Sequence, residues 1–147
     1  MYLVQSNVSL AVAVHAVGIQ TEMVFLNLLD AKMTTPEKKV KDKVKRILGD
    51  HGAYYFMPAT GGYGKSGVPD IVACYKGKFL GIECKANGGK PTALQEKNLS
   101  QIIGVGGFAF LVDEGGLDEF KHLMEQIRDG HAPVNAGIIF DLLTTKE

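Results

Sequence analysis

Two carboxylates and a lysine interrupt apolar segments that are typical of buried strands. They are Asp70, which precedes Ile71-Val72-Ala73, and Glu83 and Lys85, which end the run at 79–85. Carboxylates and lysine are poor strand formers, and burying their charge is costly unless it is compensated. A shared chemical role would explain all three residues. The alternative is a turn cap at Asp70 and solvated strand residues at the other two positions.

A β-hairpin would bring these three side chains together. We predict strands at 71–75 and 78–85 joined by a two-residue turn. In the register that such a turn sets, Asp70 lies directly opposite Glu83 on one face of the sheet, with Cβ atoms roughly 4.5–5.5 Å apart. Side chains alternate along a strand, so Lys85 points to the same face as Glu83.

Such a cluster suits a hard divalent cation acting on a phosphodiester. Mg²⁺ takes one or two protein carboxylates and completes its octahedron with water and phosphate oxygens. The ion would acidify a bound water and neutralise charge in the transition state. Lys85 would orient that water or hold a phosphate oxygen, and whether it also takes the proton depends on its pKa in the folded site.

The composition is that of one soluble globular domain, since 46% of the 147 residues are hydrophobic and 22% are charged. The formal net charge is zero, but residues 36–46 are strongly basic, whereas 113–129 carry six acidic and two basic residues. A basic stripe containing Lys38 and Lys41 could bind nucleic-acid phosphates. The alternative is a solvated, lysine-rich helix face.

The cysteines and the chain ends predict a cytoplasmic protein with no membrane partner. Cys74 and Cys84 have no CxxC spacing, and we expect both to be reduced and buried in strands. The apolar run at 8–19 is shorter than the roughly 20 residues that a membrane span needs. Residues 1–32 are interpreted as an appended extension or a packing or oligomerisation helix, 34–130 as the folded domain and 131–147 as a tail.

The other apolar patterns predict helices and strands around the hairpin, in the order α-β-β-β-α-β-α. We expect a helix at 36–48 that stops at Gly49, a strand at 53–57, a helix at 92–103, a strand at 108–112 and a helix at 117–128. This order indicates an α/β fold with a small mixed β-sheet flanked by helices.

Two polar side chains on the apolar faces of these helices could complete the site. Glu37 lies one turn before Val40, and it is either a third metal ligand or water-positioning group or a favourable charge at the helix N-terminus. Gln95 shares a face with Leu99 and Ile102. It either bonds a metal-bound water, a ligand carboxylate or a phosphate, or it is a satisfied core glutamine.

A glycine-rich segment at 59–66 resembles the nucleotide-binding pattern G-x-x-x-x-G-K-[ST], with alanine in place of the first glycine. That pattern requires a helix to begin at the lysine, so that its amides bind phosphates. Here Pro69 and a strand follow instead. We therefore expect no nucleotide cofactor, and we assign Lys65, Ser66 and Lys90 to contacts with a nucleic-acid backbone.

The ordered set of motifs resembles the virus-type replication-repair nuclease domain, the VRR-Nuc branch of the PD-(D/E)xK superfamily, over about residues 34–113. The matching features are Gly67-x-Pro69-Asp70, Glu83-x-Lys85, the Gly/Lys loop, Gln95 and Gly106-Gly107. The resemblance implies a restriction-endonuclease-like fold and Mg²⁺- or Mn²⁺-dependent cleavage of DNA. It makes Asp70 and Glu83 metal ligands, Lys85 the water-positioning or stabilising group, and Glu37 and Gln95 auxiliary residues.

Small members of this family resemble phage proteins that act as homodimers on branched or structured DNA. An archaeal-type Holliday junction resolvase is the alternative enzyme, because it shares the acidic core and a basic first helix. Outside enzymes, the alternative is a non-catalytic DNA-binding or assembly module on a nuclease scaffold. No base-reading helix is evident, so we expect cleavage directed by DNA structure rather than by sequence.

Overall fold

The computed structural model describes residues 23, 26–29, 34–59 and 64–131. Residues 23 and 26–29 are helical and belong to a separate unit, Met1–Thr35. The apolar run at 8–19, residues 132–147 of the predicted tail, and residues 60–63 of the glycine-rich segment lie outside the described residues. No described helix combines the length and the apolar character needed to cross a membrane.

The domain is a four-stranded mixed sheet with three helices. The elements are α1 (Pro36–Asp50), β1 (Tyr54–Phe56), β2 (Ile71–Tyr75), β3 (Lys78–Cys84), α2 (Ala93–Gly104), β4 (Phe108–Val112) and α3 (Leu117–Arg128). The strands lie in the order β1-β2-β3-β4, antiparallel except for the parallel pair β3 and β4, which α2 connects as a crossover. The predicted order of elements and the restriction-endonuclease-like class are confirmed.

The β2–β3 hairpin has the predicted register. Tyr75 pairs with Lys78 and Ile71 pairs with Ile82. The turn residues Lys76 and Gly77 both have positive φ, 49° and 74°. This conformation is that of a type I′ turn, whose twist matches that of the flanking strands. The next pair beyond Ile71 and Ile82 is therefore Asp70 and Glu83.

The two faces of the sheet are covered by different helices. Helices α1 and α3 cover one face and bury the main core, in which the rings of Phe110 and Phe120 meet edge to face at 5.4 Å. Helix α2 covers part of the other face, where Leu99 packs on Ala109. Along β3, Ile82 faces α1 and α3, so the adjacent Glu83 faces the α2 side.

Two sequence predictions were wrong. Helix α1 continues through Gly49 and ends in a Schellman motif at Gly52, whose φ is 69°; the Ala53 amide donates to the Leu48 carbonyl and the Gly52 amide to the Gly49 carbonyl, both at 2.9 Å. Gly52, not Gly49, supplies the left-handed residue that stops the helix. Cys74 is exposed, because it lies opposite Phe79 on the part of the sheet that α2 leaves uncovered.

Gly67 anchors the segment before β2 against the first turn of α2. Its φ is +72°, and a Cβ atom there would lie 2.6 Å from the Leu94 Cγ and 2.8 Å from the Leu94 backbone carbon. We expect Gly67→Ala to lower the free energy of unfolding by about 2–4 kcal/mol in urea denaturation, since it adds overpacking to left-handed strain. Gly88→Ala is the matched control, because Gly88 has φ +70° and a Cβ atom there would meet no atom of the described residues within 4 Å, apart from its chain neighbours. Equal losses for the two variants would contradict the packing role of Gly67.

Candidate active site

Asp70 is fixed at the start of β2, next to Glu83. Its Oδ2 accepts a hydrogen bond of 2.9 Å from the backbone amide of Cys84, in the neighbouring strand. The two carboxylates interact electrostatically, since the charge of Asp70 contributes to raising the pKa of Glu83. The hairpin therefore brings together the two acids that the sequence predicts to be metal ligands.

Glu83 is the only charged residue among the buried residues that the structure describes, with 1% of its surface exposed. Its Oε1 accepts hydrogen bonds from Lys85 Nζ at 2.8 Å and from Gln95 Nε2. Its Oε2 is buried and has no hydrogen-bond partner within the described part of the chain. Burial raises the pKa of Glu83, and the charge of Asp70 raises it further, whereas the bond from Lys85 lowers it.

Gln95 has a structural and a site role at once. Thr92 caps α2, because its side-chain Oγ1 accepts a hydrogen bond from the backbone amide of Gln95. In return, the side-chain Oε1 of Gln95 accepts a hydrogen bond of 2.8 Å from the backbone amide of Thr92, which completes a capping box. The same oxygen accepts from Lys85 Nζ at 3.2 Å, and Nε2 donates to Glu83. Thr92 was not among the predicted site residues, although the pattern Thr-x-x-Gln before an apolar run is the signal for such a box.

Lys41 enters the site from α1. Its Nζ lies 2.8 Å from Asp70 Oδ1 and 2.9 Å from Glu37 Oε1. Burial lowers the pKa of Lys41, but the bonds to Asp70 and Glu37 outweigh it and raise the pKa above its usual range, so the ammonium stays charged. The basic stripe at 36–46 predicted a DNA contact for Lys41. The structure places it with the acids, because Glu37 and Lys41 are one helical turn apart on one face of α1.

Glu37 does not join Asp70 and Glu83 in the predicted three-carboxylate cluster. Within the described ranges, no group of three His, Cys, Asp or Glu side chains is placed to hold a metal ion. The physical reason is that the Glu37 carboxylate pairs with Lys41. A site with two carboxylates still fits Mg²⁺, which needs no more from the protein.

The buried Glu83 Oε2 supports this fit. It has no hydrogen-bond partner in the described ranges and belongs to a carboxylate that interacts electrostatically with Asp70, so a cation there would stabilise it. Asp70 and Glu83 would hold the ion. When bound, a divalent ion lowers the pKa of a coordinated water and stabilises negative charge on a phosphate. Lys85, with 14% of its side chain exposed, lies against Glu83 and Gln95, where it could bind a water or a phosphate oxygen.

The predicted nucleic-acid contacts lie on three different segments. Lys65 and Ser66 are exposed before β2, with Lys65 donating to Gln101 Oε1 at 3.1 Å. Lys90 is exposed in the loop between β3 and α2. Lys38 is exposed on α1, 3.7 Å from Asp42. Their contacts with DNA stay a prediction.

The raised pKa of Glu83 gives an expected pH dependence of stability in the metal-free protein. The folded state keeps the Glu83 proton to a higher pH than the unfolded chain, whose glutamates titrate at the ordinary value of 4.5. The free energy of unfolding therefore falls as pH rises from that value through the raised folded pKa. We expect Glu83→Gln to remove this fall, so that its stability relative to the wild type improves as pH rises above the ordinary glutamate pKa of 4.5.

Urea denaturation in EDTA at several pH values measures this difference. Glu119→Gln, on the exposed face of α3, is the control and is expected to follow the wild type. If the free energies of unfolding of Glu83→Gln and the wild type change with pH in parallel, the ionisation of Glu83 does not cause the expected fall in stability.

Comparisons with known proteins agree with this geometry. The family described as archaeal Holliday junction resolvase (Hjc) matches residues 34–109, a range that contains every residue of the cluster. A candidate nuclease, p44, of Acyrthosiphon pisum secondary endosymbiont phage 1 is 35% identical over 82 residues, which cover 55% of this chain and 82% of the phage protein. The matched family is the alternative enzyme of the sequence analysis, and membership of the VRR-Nuc branch is not shown. The chain belongs to the archaeal Holliday junction resolvase family, a nuclease family of the PD-(D/E)xK type.

Proposed function

We propose that this protein is a metal-dependent endonuclease that hydrolyses phosphodiester bonds in branched DNA, with Mg²⁺ or Mn²⁺ as cofactor. The observation that carries the proposal is the pair Asp70 and Glu83 at the end of the sheet. One buried Glu83 oxygen has no hydrogen-bond partner among the residues that the structure describes, and Lys85 bonds the other. The family match supports DNA as the substrate.

Each residue of the cluster has a role in this proposal. Asp70 and Glu83 bind the ion, and Lys85 orients the attacking water or holds a non-bridging phosphate oxygen. Gln95 keeps Lys85 and Glu83 in place, because its amide bonds both side chains while its other contacts tie it to the start of α2. The backbone amide of Cys84 fixes Asp70.

The DNA-binding and assembly parts of the proposal rest on the surface residues and on symmetry. Lys38, Lys65, Ser66 and Lys90 bind the DNA backbone, which positions the substrate without reading its sequence. The protein acts as a homodimer, because two sites related by a twofold axis suit paired nicks in a symmetric junction. A role in phage-type replication, repair or recombination follows from such a substrate. Within the PD-(D/E)xK superfamily, VRR-Nuc remains the proposed branch.

A four-way junction labelled on each strand in turn tests this function, with a linear duplex of the same sequence as the control. In Mg²⁺ or Mn²⁺ we expect nicks at symmetric positions near the branch, little cleavage of the duplex and no cleavage in EDTA. Cleavage of the linear duplex at one recurring sequence motif would contradict structure-directed cleavage. Binding to the junction without cleavage in either metal would favour a non-catalytic module.

A further inference from the structure

The two oxygens of Asp70 have partners of very different mobility. Oδ2 is bonded by the backbone amide of Cys84, which the sheet holds in place. Oδ1 is bonded by the Lys41 ammonium, at the end of a flexible four-carbon side chain of which 27% is exposed. A ligand that needs an oxygen of Asp70 can therefore obtain Oδ1 by displacing Lys41, and it can do so without disturbing the strands.

The charges around the site favour such an exchange. Three carboxylates, those of Glu37, Asp70 and Glu83, are bonded to two ammonium groups, Lys41 and Lys85. If a divalent ion bound while both ammonium groups stayed in place, the site would have excess positive charge. The same ion together with Lys85 alone balances the three carboxylates. Electrostatics therefore oppose the presence of Lys41 and the ion at Asp70 at the same time.

We propose that Lys41 is a positioning residue that holds the Asp70 carboxylate in the metal-free protein and is displaced by the divalent ion. Lys41 thereby lowers the affinity for the ion while it stabilises the metal-free site. This inference rests on the proposed metal-dependent function. It assigns Lys41 to a competition with the metal, in place of the contact with DNA that its position on the basic stripe suggested.

Mn²⁺ binding, followed by electron paramagnetic resonance without DNA, tests the competition. We expect Lys41→Met to bind Mn²⁺ about tenfold more tightly than the wild type. In this variant Oδ1 of Asp70 is already open to the ion, whereas in the wild type the Lys41 ammonium must first leave it. Lys41→Arg keeps the charge and is expected to retain the wild-type affinity. The matched control is Lys45→Met: Lys45 lies on the same helix, is similarly exposed at 28% and pairs with Asp42 instead.

Thermal unfolding in EDTA and in Mn²⁺ supplies a second readout. We expect Lys41→Met to be less stable than the wild type in EDTA and to gain more from Mn²⁺, which replaces the lost cation. A variant that unfolds in EDTA and regains its structure with Mn²⁺ supports the proposal. One that stays unfolded with Mn²⁺ counts against it, because the ion then does not substitute for Lys41.

Failure of this inference can be told apart from failure of the proposed function. If Asp70→Asn loses Mn²⁺ but Lys41→Met binds it no more tightly than the wild type, the metal site stands and the role of Lys41 is wrong. If Asp70→Asn binds Mn²⁺ as the wild type does, the metal-dependent function itself is wrong. Tightening in Lys45→Met as well would show a general charge effect and would overturn the specific role of Lys41.

Discussion

Asp70→Asn is expected to lower the rate of junction cleavage by about a thousandfold or more, since a bound ion supplies several kcal/mol of transition-state stabilisation. The substitution keeps the size of the side chain and an oxygen that can accept from the Cys84 amide. It removes the charge that would bind the ion. Affinity for the junction in EDTA should stay close to that of the wild type, because the DNA contacts are assigned to other residues.

Single-turnover cleavage and gel-shift binding on one labelled junction measure the two effects separately. Asp42→Asn is the matched control, because Asp42 pairs with Lys38 and Lys45 on α1 and not with the ammonium groups of Lys41 or Lys85 in the part of the chain that the structure describes. We expect this variant to cleave like the wild type. If Asp70→Asn also cleaves at the wild-type rate, Asp70 is not a metal ligand.

Lys85→Met is expected to lower the single-turnover rate by about a hundredfold to a thousandfold, as for removal of a group that stabilises transition-state charge. Lys85 is the less exposed of the two cations of the site, with its Nζ 2.8 Å from Glu83 Oε1 and 3.2 Å from Gln95 Oε1. Methionine keeps the apolar part of the side chain and removes the ammonium. Mn²⁺ should still bind, because Lys85 does not lie among the proposed ligands.

Rates at saturating Mg²⁺ separate this loss from weaker metal binding. Lys45→Met is again the control, as a lysine of the same domain outside the cluster. A Lys85→Met rate within a few fold of the wild type at saturating metal would contradict a role for Lys85 in the chemical step. A loss that high metal restores would show that Lys85 acts only by orienting Glu83.

The hairpin could be predicted from the sequence because its determinants are local. Apolar strands, charged residues at one end and a Lys76-Gly77 turn fix the register, and the register alone places Asp70 opposite Glu83. The capping box at Thr92 was equally local, but Gln95 was assigned only from its place on the apolar face of α2. A residue that serves both helix capping and the site requires both patterns to be considered together.

The position of Lys41 could not be predicted in the same way, because it depends on how α1 crosses the sheet. The sequence shows that Glu37 and Lys41 share a helix face, but it does not show that this face meets the start of β2 at Asp70. The exposure of Cys74 has a similar origin, since it depends on how much of one sheet face α2 covers. Packing between elements distant in sequence decided both outcomes.

A crystal soaked with Mn²⁺ and measured at the manganese absorption edge would show which side chains bind the ion. We expect an anomalous peak within ligand distance of Asp70 and of Glu83 Oε2, with the Lys41 ammonium moved away from Asp70 Oδ1. A fully occupied manganese site elsewhere in the domain, with neither carboxylate as a ligand, would contradict this expectation.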